Sequence, residues 1–152
     1  MWVNGDKAVE PDEAIPIVIT NPTNAIIQGG LGLVTILNDD PPAITINDTS
    51  GMEGNSGLTY FVFTVSLSVP TTRTVSVNFS TANGTAKTSD NDYISAAGTL
   101  TFAPGETTKT ISVAVKGDTK KENNETFFLN LSGAANATIL DSQGQGTIFN
   151  DD

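Results

Sequence analysis

The sequence predicts an all-β chain. Residues 41–152 make a complete seven-stranded antiparallel two-sheet sandwich, and residues 1–40 make the last third of another. Three observations carry that prediction. Apolar residues recur with a period of two rather than about 3.6. Turn-forming clusters punctuate the chain at Val69-Pro70-Thr71-Thr72, Asn83-Gly84, Ala103-Pro104-Gly105-Glu106 and Ser132-Gly133. The chain also repeats itself, because an offset of 112 lays residues 3–40 on residues 115–152 without a gap. Gly5/Gly117, Asp6/Asp118, Glu10/Glu122, Glu13/Glu125, Asn24/Asn136 and Gly32/Gly144 coincide, and both copies end in Asn-Asp-Asp. That period is too long for a solenoid unit and suits a whole sandwich.

The strands follow in order. Ile44 and Ile46 define the first, and Phe61, Phe63, Val65 and Leu67 line one face of the second. Val75, Val77 and Phe79 mark the third, Leu100 and Phe102 the fourth, and Ile111, Val113 and Val115 the fifth. Phe127, Leu129 and Leu131 mark the sixth, and the seventh runs roughly over residues 145–149. Threonines between these positions suit a pleated, half-exposed surface. Pro41-Pro42 is a short stiff joint to the partial copy. That copy holds the end of one strand and two full ones, too little to cover Ile15, Ile17 and Ile19 or Leu31, Leu33 and Leu37. It is expected to pair with a second copy as a homodimer or to dock onto the intact domain.

Composition excludes several functions. Seven Lys and Arg against 17 Asp and Glu give a net charge of −10, which disfavours nucleic acid. With no cysteine and no histidine there is no disulfide, thiolate or imidazole metal site, Cys nucleophile or Ser-His-Asp triad. No apolar run approaches a bilayer span, so no membrane insertion is expected and the fragment reads as soluble. The start lacks a charged segment followed by an apolar one and reads as cut from something longer, so it says nothing of compartment. Trp2 reads as strand packing, Tyr93 as core packing, and the Asn-x-Ser/Thr sequons as a product of composition. Paired carboxylates serve glycosidases, but these sit on loops with no aromatic-lined cleft in view. What remains is oxygen chemistry, the ligand set of hard cations such as calcium.

Strands that alternate up and down bring every second connection to the same end. Glu53, Asp90, Asp92, Asp118, Glu122, Glu125, Asp151 and Asp152 therefore converge on one end, with Asp48 near it. The other end holds Glu106 and Asp141, close to Arg73 and Lys109. Acidic loops are often merely solvated. Here, however, an Asp-x-x-x-Glu-x-x-Glu frame and the Asn-Asp-Asp ending recur in both copies while the strand between them changes. Solubility does not need fixed positions; a coordination shell does.

At these residues the chain resembles the Calx-beta domain, a module of sodium–calcium exchanger regulatory loops and of tandem arrays in bacterial surface proteins. The strings that carry the resemblance are Gly51-Met52-Glu53-Gly54, Ala82-Asn83-Gly84-Thr85-Ala86 and Asp92-Tyr93. Gly98-Thr99-Leu100-Thr101-Phe102-Ala103-Pro104-Gly105-Glu106, Gly117-Asp118 with Glu122 and Glu125, and Gly146-Thr147-Ile148-Phe149-Asn150-Asp151-Asp152 complete them. The resemblance implies calcium held at the loop end of an immunoglobulin-like sandwich. Its ligands would be Glu53, Asp92, Asp118, Glu122, Glu125, Asp151 and Asp152. In the partial copy the corresponding candidates are Asp6, Glu10, Glu13, Asp39 and Asp40. Gly117 and Asn150 stand where calcium-sensing members can have aspartates, Asn123 and Asn124 replace acids, and Lys120 and Lys121 lie inside the acidic loop. One or two weakly held ions are expected. The function expected is a non-enzymatic calcium-binding module of an extracellular or cell-surface tandem array, in adhesion or communication, with neighbouring repeats as partners. The alternative is a structural or adhesive spacer whose calcium site has decayed.

Overall fold

The structure, a computed structural model, describes residues 3–6, 10, 12–38 and 40–152. It divides into two compact units, Met1–Asp40 and Pro41–Asp152, each described by itself.

In the first unit β1 (Glu13–Val18) and β2 (Leu31–Ile36) form a two-stranded antiparallel sheet. Residues directly opposite share a face. Ile15 and Ile17, facing Val34 and Gly32, lie on one face; Leu33 and Leu31, facing Pro16 and Val18, lie on the other. The isoleucine and leucine sets named from sequence therefore belong to opposite faces, and the hairpin is apolar on both. Ile17, Val18, Leu31 and Leu33 are all exposed.

The second unit contains β3 (Ala43–Ile46), β4 (Thr49–Met52), β5 (Gly57–Leu67), β6 (Val75–Asn83), β7 (Ala97–Phe102) and β8 (Thr108–Gly117). β9 (Glu125–Ala135), β10 (Thr138–Ile139) and β11 (Gln143–Phe149) follow. One sheet has the order β10-β3-β5-β8 and the other β4-β11-β9-β6-β7. Two contacts are parallel, β10 with β3 and β11 with β4, so the sandwich is mixed rather than wholly antiparallel. The extra strand β4 has a local cause. The first strand foreseen from Ile44 and Ile46 changes sheets at Asn47-Asp48. Asn47 holds the β5 side, accepting the Thr64 N–H on Oδ1 at 2.5 Å, while Asp48 Oδ1 takes the Gln145 N–H of β11 at 2.7 Å.

The alternating residues pack inward as one core. Ile44, Phe63, Val65, Val75, Val77, Phe102, Val113, Val115, Phe127 and Leu129 are fully buried. Phe127 lies at its centre, with ring centroids 5.9 Å from Phe61, 5.9 Å from Phe63 and 4.8 Å from Tyr93. Burying such a ring is worth several kcal/mol, since truncating one to Ala costs about 3–5 kcal/mol.

The sequence offset of 112 is also an offset of backbone. The six pairs of β1–β2 have the register of β9–β11: Glu13 opposite Ile36 corresponds to Glu125 opposite Ile148, and Ile17 opposite Gly32 to Leu129 opposite Gly144. Asn21 and Gly133 have φ of 54° and 59°, and Asn24 and Asn136 have 56° and 60°. Asn38 N–H reaches Asp12 Oδ1 at 2.9 Å as Asn150 N–H reaches Asn124 Oδ1 at 3.2 Å.

Candidate functional site: an acidic end of the sandwich

β5 starts at Gly57 opposite Gly117, the last residue of β8, while β6 ends at Asn83 opposite Phe127, near the start of β9. The loops after β4, β6 and β8, and the chain leaving β11, therefore meet at one end. The core anchors the acids there. Tyr93, buried, stacks on Phe127 at 20° and donates its hydroxyl to Asn83 Oδ1 at 2.6 Å. Asp92 is thereby held beside Glu125, two residues before Phe127. Asn91, with φ of 77°, turns the chain, and Asp92 Oδ2 accepts the Lys87 N–H at 2.7 Å. Gly117 brings the loop after β4 close: a Cβ there would collide with the carbonyl of Gly54, itself at φ 82°.

Two groups result. Asp92, Glu122 and Glu125 each present a carboxylate oxygen within 4.8 Å of the others. Glu53 forms the second with Asp118, Glu122, Asp151 and Asp152, whose charges all act on it. Asp151 Oδ1 accepts the Gly54 N–H at 3.0 Å and Asp152 Oδ1 the Asn55 amide, tying the chain exit to the loop after β4. Glu122 belongs to both groups.

Glu53 stands apart from the other acids. The residue is 5% exposed, yet no described side-chain oxygen is wholly buried without a hydrogen-bond partner, so its carboxylate keeps contact with solvent. Burial first, and then the charges of Asp118, Glu122, Asp151 and Asp152, push its pKa up to about 7. Glu125 moves the same way through burial, a hydrogen bond shared with Asp92, and the Asp92 and Glu122 charges. Carboxylates drawn together and partly desolvated resist ionisation, and a hard cation relieves them. Chemically, the end offers carboxylate oxygens and nothing softer.

Other residues lie elsewhere. Asp90 turns to Lys87 at 3.5 Å and Ser89 at 2.9 Å, and Asp48 serves the sheet switch rather than the acidic end. At the opposite end Glu106 pairs with Lys109 at 2.8 Å. In the first unit Asp6, Glu10, Glu13 and Asp40 line one cleft with Asn38, and Asp39 lies outside the described residues. Sequence reasoning read Asn150 and Asn124 only as replacements for acids. Asn150 Oδ1 accepts the Glu122 N–H at 3.1 Å, and its backbone N–H goes to Asn124 Oδ1. The two residues taken as lost acids are ties between loops. Their recurrence as Asn38 and Asp12 was the available signal.

Fold and site define a class, a β-sandwich module whose loop end gathers carboxylates. The Calx-beta domain matches residues 38–152, and the chain belongs to that family. It is 30% identical over 126 residues to human sodium/calcium exchanger 3, covering 80% of this chain and 14% of that protein. It is 40% identical over 83 residues to zebrafish adhesion G-protein coupled receptor V1, covering 51% of this chain and 1% of that protein. The chain thus spans a small part of these relatives. Among solved structures, the apo-form Calx CBD1 domain aligns with a TM-score of 0.61 at 22% identity, covering 74% of this chain and all of that one. CBD12 from CALX1.2 aligns at 0.64 and 22%, covering 72% and 44%. Both are likenesses of fold. No helix among the described residues is long and apolar enough to cross a membrane.

Proposed function

We propose that the second unit is a non-enzymatic calcium-binding module, with Glu53, Asp92, Asp118, Glu122, Glu125, Asp151 and Asp152 as the oxygen ligands of one or two ions. The observation that carries this reading is Glu53, a largely buried residue whose carboxylate feels the charges of Asp118, Glu122, Asp151 and Asp152. The residues fit the ion: a calcium ion takes about six to eight oxygens and prefers carboxylates and carbonyls. Bound there, it would supply positive charge that offsets repulsion among the acids. Family membership and the exchanger relative support the same ion.

The topology supports a role at joints. β3 begins at the end opposite the acids, where Ala43 N–H meets Ser68 Oγ, and the chain leaves β11 at the acidic end. In a tandem array of an extracellular or cell-surface protein, the acidic end of each repeat would lie at its joint with the next. Holding those loops would stiffen the array. Residues 1–40 read as the closing strands of such a preceding repeat, supported by the register shared with β9–β11. A homodimer through that hairpin is read out by the mass of the whole chain in solution, and a monomer removes it.

The second reading, a spacer whose site has decayed, is favoured by Lys120, paired with Glu122 inside the acidic loop. Thermal unfolding with chelator and with millimolar calcium separates the two. Binding to the native state adds RT ln(1 + [L]/Kd), about 2.7 kcal/mol at 100 times Kd. Superimposable melting curves refute the calcium reading.

A further inference from the structure

The lysines around the acidic end are not equivalent. Lys87 pairs with Asp90, and Lys116 donates to Asn91 Oδ1, so neither ammonium is paired with one of the gathered acids. Lys121 makes no ion pair among the described residues. Lys120 differs from all three. Its Nζ pairs with Oε1 of Glu122, the acid common to both groups, whose side chain is 19% exposed. Its backbone N–H donates to Asp118 Oδ1 at 2.7 Å, which fixes the root of the side chain against a second acid. The lysine arm itself is 71% exposed and has no other tie.

We propose that Lys120 is a tethered counter-cation of the acidic end, whose ammonium neutralises Glu122 in the ion-free protein and withdraws when a divalent cation takes that carboxylate. Lys120 then sets the affinity of the site. This rests on the calcium reading above and adds its regulation. The physics is competition for one acceptor. The Glu122 carboxylate that accepts the ammonium is also the one that closes the group with Asp92 and Glu125. An ion entering that group has to displace a positive charge already there, and an exposed arm on a fixed root can swing clear without unfolding the loop.

The test is calorimetric calcium titration of the whole chain as wild type, Lys120→Gln, Lys121→Gln and Lys120→Arg at one low ionic strength. Lys120→Gln is expected to tighten calcium about two- to five-fold, the range of one exposed ion pair. Lys121→Gln, the same charge change one residue on, is expected to leave affinity nearly unchanged, and Lys120→Arg to keep the wild-type value. In chelator, Lys120→Gln should melt below Lys121→Gln. Equal effects of the two Gln variants, with calcium still bound, overturn the tethered cation and leave the calcium reading standing. No calcium heat in any variant overturns both.

Discussion

The side-chain carbonyl of Asn150 accepts the backbone N–H of Glu122 at 3.1 Å, joining the end of the last strand to the loop that carries most of the acids. The same asparagine donates Nδ2 to the Asp152 carbonyl at 3.0 Å and its own N–H to Asn124 Oδ1 at 3.2 Å. A neutral amide makes both kinds of contact at once; an aspartate could only accept. The asparagine at this place therefore gives up a charge and gains a brace.

Asn150→Ala removes two side-chain bonds from a partly exposed site. The expected loss is about 1–2 kcal/mol, or about 4–8 °C in melting temperature. Calcium affinity should weaken as well, because Glu122 loses its support. Thermal melts and calcium titration of the same sample check both.

In chelator, stability should fall as pH rises from about 4.5 to about 7. Glu53 takes its proton near 4.5 when unfolded and near 7 when folded, so the folded state holds the extra proton within that window. Glu125 acts in the same direction. Asp90 and Glu106, whose pKa values are lowered, act only on the more acidic side. The melting temperature is expected to be several degrees lower at pH 7.5 than at pH 5.5, with saturating calcium removing the difference. A flat or rising profile in chelator contradicts the assignment of Glu53 as a strained acid.

Glu53→Gln keeps the shape and deletes the charge. In chelator at pH 7.5 it should stabilise by about 1 kcal/mol, and near pH 5 by little, because the wild-type group is already protonated there. Calcium affinity should drop at least about ten-fold. Paired melts at the two pH values and a calcium titration read these out.

Tyr93→Phe separates packing from ligation. It removes the 2.6 Å hydroxyl bond to Asn83 while keeping the ring on Phe127. The expected cost is about 0.5–1.5 kcal/mol, with calcium affinity within about two-fold of wild type. A large affinity loss would mean that the hydroxyl bond, rather than the stacked ring, holds Asp92 in place.

Gly117→Asp puts a further acid at the end of β8, beside Asp118. It should destabilise instead of adding a ligand, because any Cβ there meets the Gly54 carbonyl. An over-packed site costs about 1–3 kcal/mol. Stronger calcium binding with unchanged melting would show that the loop has room.

Much of this protein was legible in one dimension. The alternation of Phe61, Phe63 and Val65 reports which face of β5 is buried, since strand geometry sends successive side chains to opposite sides whatever lies around them. The convergence of Glu53, Asp92, Asp118, Glu122 and Glu125 follows from counting strands. The sheet switch at Asn47-Asp48 did not show, because it turns on which backbone groups two side chains bond to across the sandwich. Nor did the sequence say which of the apolar residues of β1 and β2 share a face, because the pairing register decides that across strands.

By itself the sequence determined which segments form the main strands, the repeat offset and the end at which the acids gather, all of which depend on spacing along the chain. Only the tertiary structure decided that Glu53 is largely buried among other acids, that Asn150 braces Glu122, and that Lys120 rather than Lys121 pairs with an acid. These are properties of distances between segments remote in the chain. Electrostatics and hydrogen bonds act over a few ångströms, and only the folded sandwich brings those atoms that close.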